Sequence, residues 1–128
     1  MTQSLALSTL VVHDYDEAIG FYVGKLGFVL TRDDDMRGGK RWVVVTPPGS
    51  QGGLLLAKAA GDVQAARVGD QTGGRVGFFL HTDDFDGDHA RMSAAGVNFL
   101  EAPRREAYAT VAVFEDLYGN RWDLLQPK

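Results

Sequence analysis

The feature that most constrains this chain is an order of helix starts, helix stops and turns that occurs twice. Asp14 and Asp84 stand 70 positions apart, Gly27 and Gly96 stand 69 apart, and Gly49 and Gly119 again stand 70 apart. Identity between the halves is low, so the repeat lies in the order of caps, stops and strands rather than in matching residues. Two copies of one supersecondary unit must therefore account for nearly all of the 128 residues. Either half alone would be marginal as an independent domain, and a single domain over residues 1–128 is predicted.

Each copy reads as β-α-β-β-β. In the first, the apolar, β-branched residues 5–12 predict a strand, and Asp14 with Glu17 three positions later gives an acidic variant of the capping box. Ala18, Phe21, Tyr22 and Leu26 recur at helical intervals until Gly27 stops the run. Strands follow over 28–32, 42–46 and 54–56, separated by a charged loop at 33–40 and the Pro47-Pro48-Gly49 turn. The Ala-rich segment 58–74, closed by Gly73-Gly74, is the expected linker, with room for one helical turn between module 1 (5–57) and module 2 (75–128). In the second copy, strand 76–82 leads to a helix capped by Asp84, carrying Phe85, His89, Met92 and Ala95 and ended by Gly96. Strands 97–100, 110–114 and 121–125 complete it.

Composition narrows the function. Net charge is −4 and the Lys and Arg residues are scattered, which argues against a nucleic-acid partner. With no cysteine, disulfides, thiolate metal sites and cysteine nucleophiles are excluded. The first residues lack the pattern of a secretion signal, and no apolar run approaches the roughly 20 residues of a membrane span, so a cytoplasmic protein with no membrane partner is expected. Neither a phosphate-cradling glycine loop nor a Gly-x-Ser-x-Gly elbow is present.

The phrases Asp14-Tyr15-Asp16-Glu17-Ala18-Ile19, Phe21-Tyr22 and Lys25-Leu26-Gly27-Phe28 open the first copy, and the second carries Ala95-Gly96-Val97 and Phe114-Glu115-Asp116-Leu117-Tyr118-Gly119-Asn120-Arg121-Trp122-Asp123-Leu124. In this order the chain resembles the vicinal oxygen chelate superfamily of glyoxalases, bleomycin resistance proteins and extradiol dioxygenases. The resemblance covers nearly the whole chain. It implies an α+β fold in which two tandem βαβββ modules form a cupped mixed sheet around a small organic ligand, commonly in a homodimer.

Metal-using members of that superfamily place a ligand on the first and the last strand of each module. Counting back seven residues from Asp14 and Asp84 puts the first-strand positions at Leu7 and Gly77, neither of which can bind a metal. The last-strand positions fall near residues 54–56 and on Asp123. One carboxylate cannot hold a divalent cation that needs three or four protein ligands, so no cofactor is expected, with an atypical metal site left open.

If Leu7 and Gly77 face the cup, strand alternation adds Thr9 and Val11 from one module and Phe79 and His81 from the other. Arg121 and Asp123 share a face of the last strand. His81, an imidazole able to act as acid, base or hydrogen-bond donor, forms with Asp123 the candidate catalytic pair, against the plainer readings of a half-solvated strand end and an ordinary ion pair with Arg121. Thr9, Trp42, Phe79, His81, Tyr108 and Arg121 are the candidate ligand contacts, with Trp42, Phe79 and Tyr108 offering flat rings to a planar molecule. His13 and His89 are expected at the surface, and segments 33–40 and 103–108 as solvated turns at the cup edge. The expected function is metal-free binding of a small hydrophobic or aromatic molecule. The alternatives are a lyase or isomerase of glyoxalase type using His81 and Asp123, and a scaffold with a vestigial cup.

Overall fold

The computed structural model describes residues 1–128, which divide into two compact units, 1–68 and 69–128. The boundary falls inside the segment expected as a linker.

In the first unit, Asp14 caps the helix α1 (Tyr15–Ile19) as its spacing predicts, its Oδ2 accepting from the Glu17 N–H at 2.9 Å. A π-helical segment, Gly20–Lys25, continues α1, and the Leu26 N–H reaches back five residues to the Phe21 carbonyl at 3.0 Å. The helical spacing of Phe21, Tyr22 and Leu26 did not disclose this widened turn, although Gly20 and Gly24 weaken the α-helical alternative. Strands β1 (Leu7–Val12), β2 (Val29–Asp35), β3 (Arg41–Thr46) and β4 (Gly53–Lys58) form a sheet in the order β1-β4-β3-β2, with β1 parallel to β4 and the other pairs antiparallel. The register aligns Leu10 with Leu56 and Leu56 with Val43, and Leu54 with Val45. These side chains are buried on the face that carries α1 and the buried Tyr22 and Phe21. The opposite face carries the row Thr9, Leu55, Val44, Arg32.

One strand departs from expectation. Residues 33–35 lie in β2 rather than in a loop. Aspartate is a poor strand former, but β2 is an edge strand and Asp33 is paired by Arg41 of β3, with Arg41 Nη2 at 2.8 Å from Asp33 Oδ2. Within the expected linker, α2 (Gly61–Ala65) is the single helical turn that segment has room for.

The second unit repeats the order. Strands β5 (Val76–His81), β6 (Asn98–Phe99), β7 (Arg104–Arg105), β8 (Ala109–Glu115) and β9 (Arg121–Pro127) give the order β5-β9-β8-β6, with β7 also paired to β8. Asp84 caps α3 (Phe85–Ala94) through the Gly87 N–H at 3.1 Å. The rows Phe78–Trp122–Phe114 and Leu80–Leu124–Ala112 share the face that holds the apolar core, where the Trp122 ring stacks on Phe78 at 4.7 Å. Gly27 and Gly96 both adopt positive φ (83° and 91°) just past their helices, the conformation a helix stop of this kind requires.

Two further parts of the chain differ from expectation. Segment 103–108 is not simply a turn, because Arg104 and Arg105 pair with Val111 and Thr110. His89 is half-buried, not surface-exposed, with its ring between Phe85 (5.7 Å) and Phe99 (4.2 Å). The i,i+4 spacing from Phe85 sets it over the core, and β6 covers it from the other side.

Candidate functional site

The first unit holds a cleft of about 580 Å³, within the usual range for small-ligand sites. Thr9 of β1, Trp42 of β3 and Leu55 and Ala57 of β4 line it, and residues 38–40 and Gln64 border it. Trp42 keeps 36% of its surface exposed, so its ring is available to a ligand.

The Tyr15 side of this cleft is stiff. Arg41 donates to Asp33 and Asp16, its guanidinium lies 5.2 Å from the Tyr15 ring centroid, and its backbone N–H donates to the Tyr15 hydroxyl at 3.2 Å. Hydrogen bonding from Arg41 holds the Asp33 carboxyl below its ordinary range. The two carboxylates in turn push the Arg41 guanidinium up, so the group is a fixed cation at every accessible pH.

In the second unit, the face turned away from the core carries two adjacent rungs. Phe79, Asp123 and Val113 form one, and His81, Leu125 and Val111 the next. Phe79 is 62% exposed and His81 is exposed, while Asp123 is half-buried. Asp123 Oδ1 is buried and has no hydrogen-bond partner. Arg121 does not supply one, because it lies at the sheet end and its guanidinium faces the Gly74 carbonyl at 3.4 Å. His81 belongs to the neighbouring rung and does not satisfy that oxygen either.

Two residues that sequence reasoning passed over surround this carboxyl. Glu101 accepts from Arg104 Nε and from the Val113 N–H, and Arg104 also bonds Glu106 and Tyr108. No local pattern marks Glu101 or Arg104; the β7–β8 pairing brings them in. In the first unit Leu55 and Ala57 were readable in principle, since alternation on β4 turns them away from the buried Leu54 and Leu56.

Burial raises the Asp123 pKa above its ordinary value, with Arg104 opposing and Glu101 reinforcing. A raised folded-state value means that ionisation costs stability above it and nothing at low pH, where both folded and unfolded chains are protonated. Asp123→Asn should therefore raise the melting temperature at pH 7 and leave it unchanged near pH 3. A lower Tm at pH 7 would contradict this account.

The residues do not fit a divalent metal of the kind the superfamily resemblance implies. Leu7 pairs with Gly53 and offers no donor, and a Cβ built on Gly77 would stand 2.6 Å from Thr72 Cγ2. No three of the His, Asp and Glu side chains gather where a metal could be held. No helix is long and apolar enough to cross a membrane.

Comparison with known proteins agrees with the doubled fold. The family model described as glyoxalase/bleomycin resistance protein/dioxygenase superfamily matches residues 4–124. An uncharacterised protein of Shewanella frigidimarina (strain NCIMB 400) is 56% identical over 128 residues, 98% of this chain and 95% of that one. The crystal structure of UcmS2 superposes with a TM-score of 0.83 at 31% identity, covering 98% of both chains. TnmS3, an antibiotic binding protein from Streptomyces sp. CB03234, superposes at 0.80 with 32% identity, covering 100% of this chain and 99% of its own.

Proposed function

This chain belongs to the glyoxalase/bleomycin resistance protein/dioxygenase superfamily, and from that premise we propose that it binds a small hydrophobic or aromatic molecule without a metal. The observation that carries this reading is the Trp42 cleft: apolar walls from Leu55 and Ala57, a polar contact from Thr9, and one accessible aromatic ring. Such a lining grips by area and stacking, with the cationic Lys40, Arg41 and Lys58 also at the cleft. The donor-poor positions Leu7 and Gly77 support the same conclusion. The antibiotic binding by TnmS3, a relative of nearly equal length, makes aromatic antibiotics the first ligands to try.

Isothermal titration against a panel of aromatic antibiotics and metabolites should find at least one ligand at micromolar Kd. Trp42→Ala should weaken it about tenfold, the order expected from losing one aromatic stacking partner. Absence of binding across the panel would sink the proposal. The same reading includes a homodimer, favoured by the exposed Leu7, Val29, Leu30 and Phe79. Light scattering at micromolar concentration should then give twice the 13.9 kDa chain mass.

A further inference from the structure

We infer that the Trp42 cleft selects acids, so that the molecule bound is a flat apolar body carrying an anionic group rather than a neutral hydrocarbon or an amine. This rests on the proposed binding function and narrows its ligand class.

Lys40, Arg41 and Lys58 all line this cleft, and no Asp or Glu does. Arg41 is already engaged, because Asp33 and Asp16 hold its guanidinium at 2.8 and 2.9 Å. Lys40, just before β3, and Lys58, the last residue of β4, enter none of the ion pairs of this unit, which join Arg32 to Asp34 and Arg41 to Asp16 and Asp33. Asp34 is the acid best placed to oppose them, since it pairs with Trp42 across the sheet, but Arg32 neutralises it at 2.6 Å. Gln64 adds a neutral donor: its Oε1 accepts from the Ala60 N–H at 2.9 Å, which leaves the amide NH2 for a ligand.

The chain as a whole carries −4, so the cleft reverses the sign of its surroundings. Screening limits the reach of distant acids to about 8 Å at physiological salt, and the two lysines are the charges a ligand meets at the cleft. Trp42, Leu55 and Ala57 take the flat apolar body, and the ammonium groups take its anionic end. Lysine is a compact point charge on a flexible stem, so it serves a carboxylate, sulfonate or phosphate alike.

The test uses three probes of one shape, 2-naphthoate, 2-naphthol and 2-naphthylmethylammonium, titrated by calorimetry and amide NMR into the wild-type chain and the double variant Lys40→Gln/Lys58→Gln. Both lysines are exposed, so the variant should keep the wild-type fold and Tm. An exposed charge pair is worth a factor of up to about five, so two should make naphthoate about tenfold tighter than naphthol, with the ammonium weakest. The amides of Trp42, Leu55 and Ala57 should shift. In the double variant the preference should fall to within about twofold, and in the wild type it should shrink between about 20 and about 300 mM salt as screening grows. Equal binding of the three probes, or a preference that survives the double variant, overturns the acid selectivity while leaving the aromatic-binding function intact. Binding by none of the three also overturns the selectivity, and the binding function falls with it only if the antibiotic panel is blank as well.

Discussion

Gly69→Ala should destabilise the protein by about 3 kcal/mol or more, the largest effect expected of any single methyl group added to this chain. Gly69 sits at φ 79°, and a Cβ there would stand 2.0 Å from the Tyr118 carbonyl oxygen. Two penalties combine. A side chain resists the left-handed backbone, and the obstacle is main chain, which has no rotamer to yield. Thermal unfolding should show a Tm lowered by roughly 10 °C or more, on the usual scaling for a chain of about this size. Gly24→Ala is the control: a Cβ there meets nothing within 4 Å, and Tm should hold or rise slightly.

The second large effect is expected at Asp116, which is only 5% exposed. Its Oδ1 accepts from the N–H groups of Tyr118 and Asn120, and its Oδ2 from Asn120 Nδ2, each at 2.9 Å. Asp116→Ala removes the acceptor of three hydrogen bonds in or near the core, at about 3 kcal/mol, judged from the cost of lost buried hydrogen bonds. Asp116→Asn keeps one oxygen and should lose about half as much. Chemical denaturation of the two variants tests the ordering, and equal losses would mean that packing, not hydrogen bonding, fixes the turn. Because Tyr118 meets both Gly69 and Asp116, the double variant should lose less than the sum of the singles.

That turn illustrates what the sequence could and could not disclose. Gly119 and Asn120 mark a turn on composition alone, and the spacing from Gly49 to Gly119 places it in the repeat. The dependence on Gly69 is invisible there, because it arises only when chain 49 positions away packs against the Tyr118 carbonyl. The site divides in the same way. Thr9 and Trp42 could be picked out by strand alternation and residue type, and the structure brings them to one cleft. Phe79, His81 and Asp123 fall on one face as alternation requires, yet His81 and Asp123 occupy different rungs, so the bond a catalytic pair would use is not formed. Glu101 and Arg104, which set the charge around Asp123, depend on a two-residue strand too short to leave a pattern. The acidic run of β2 was hidden for a related reason: local propensity argued for a loop, and a distant arginine decided for a strand.

The run Arg32-Asp33-Asp34-Asp35 along β2 has a consequence for life at high concentration. β2 ends its sheet, with β3 as its strand neighbour there. An open edge of main-chain groups is a template on which a second chain can grow, and the charged run Arg32-Asp33-Asp34-Asp35, with Asp33 and Asp34 held in ion pairs, makes that growth costly because these charges must give up water or partners. The safeguard is ionic and therefore conditional. Where salt screens these charges the barrier falls, and aggregation that starts at this strand should rise with ionic strength while the core is still folded.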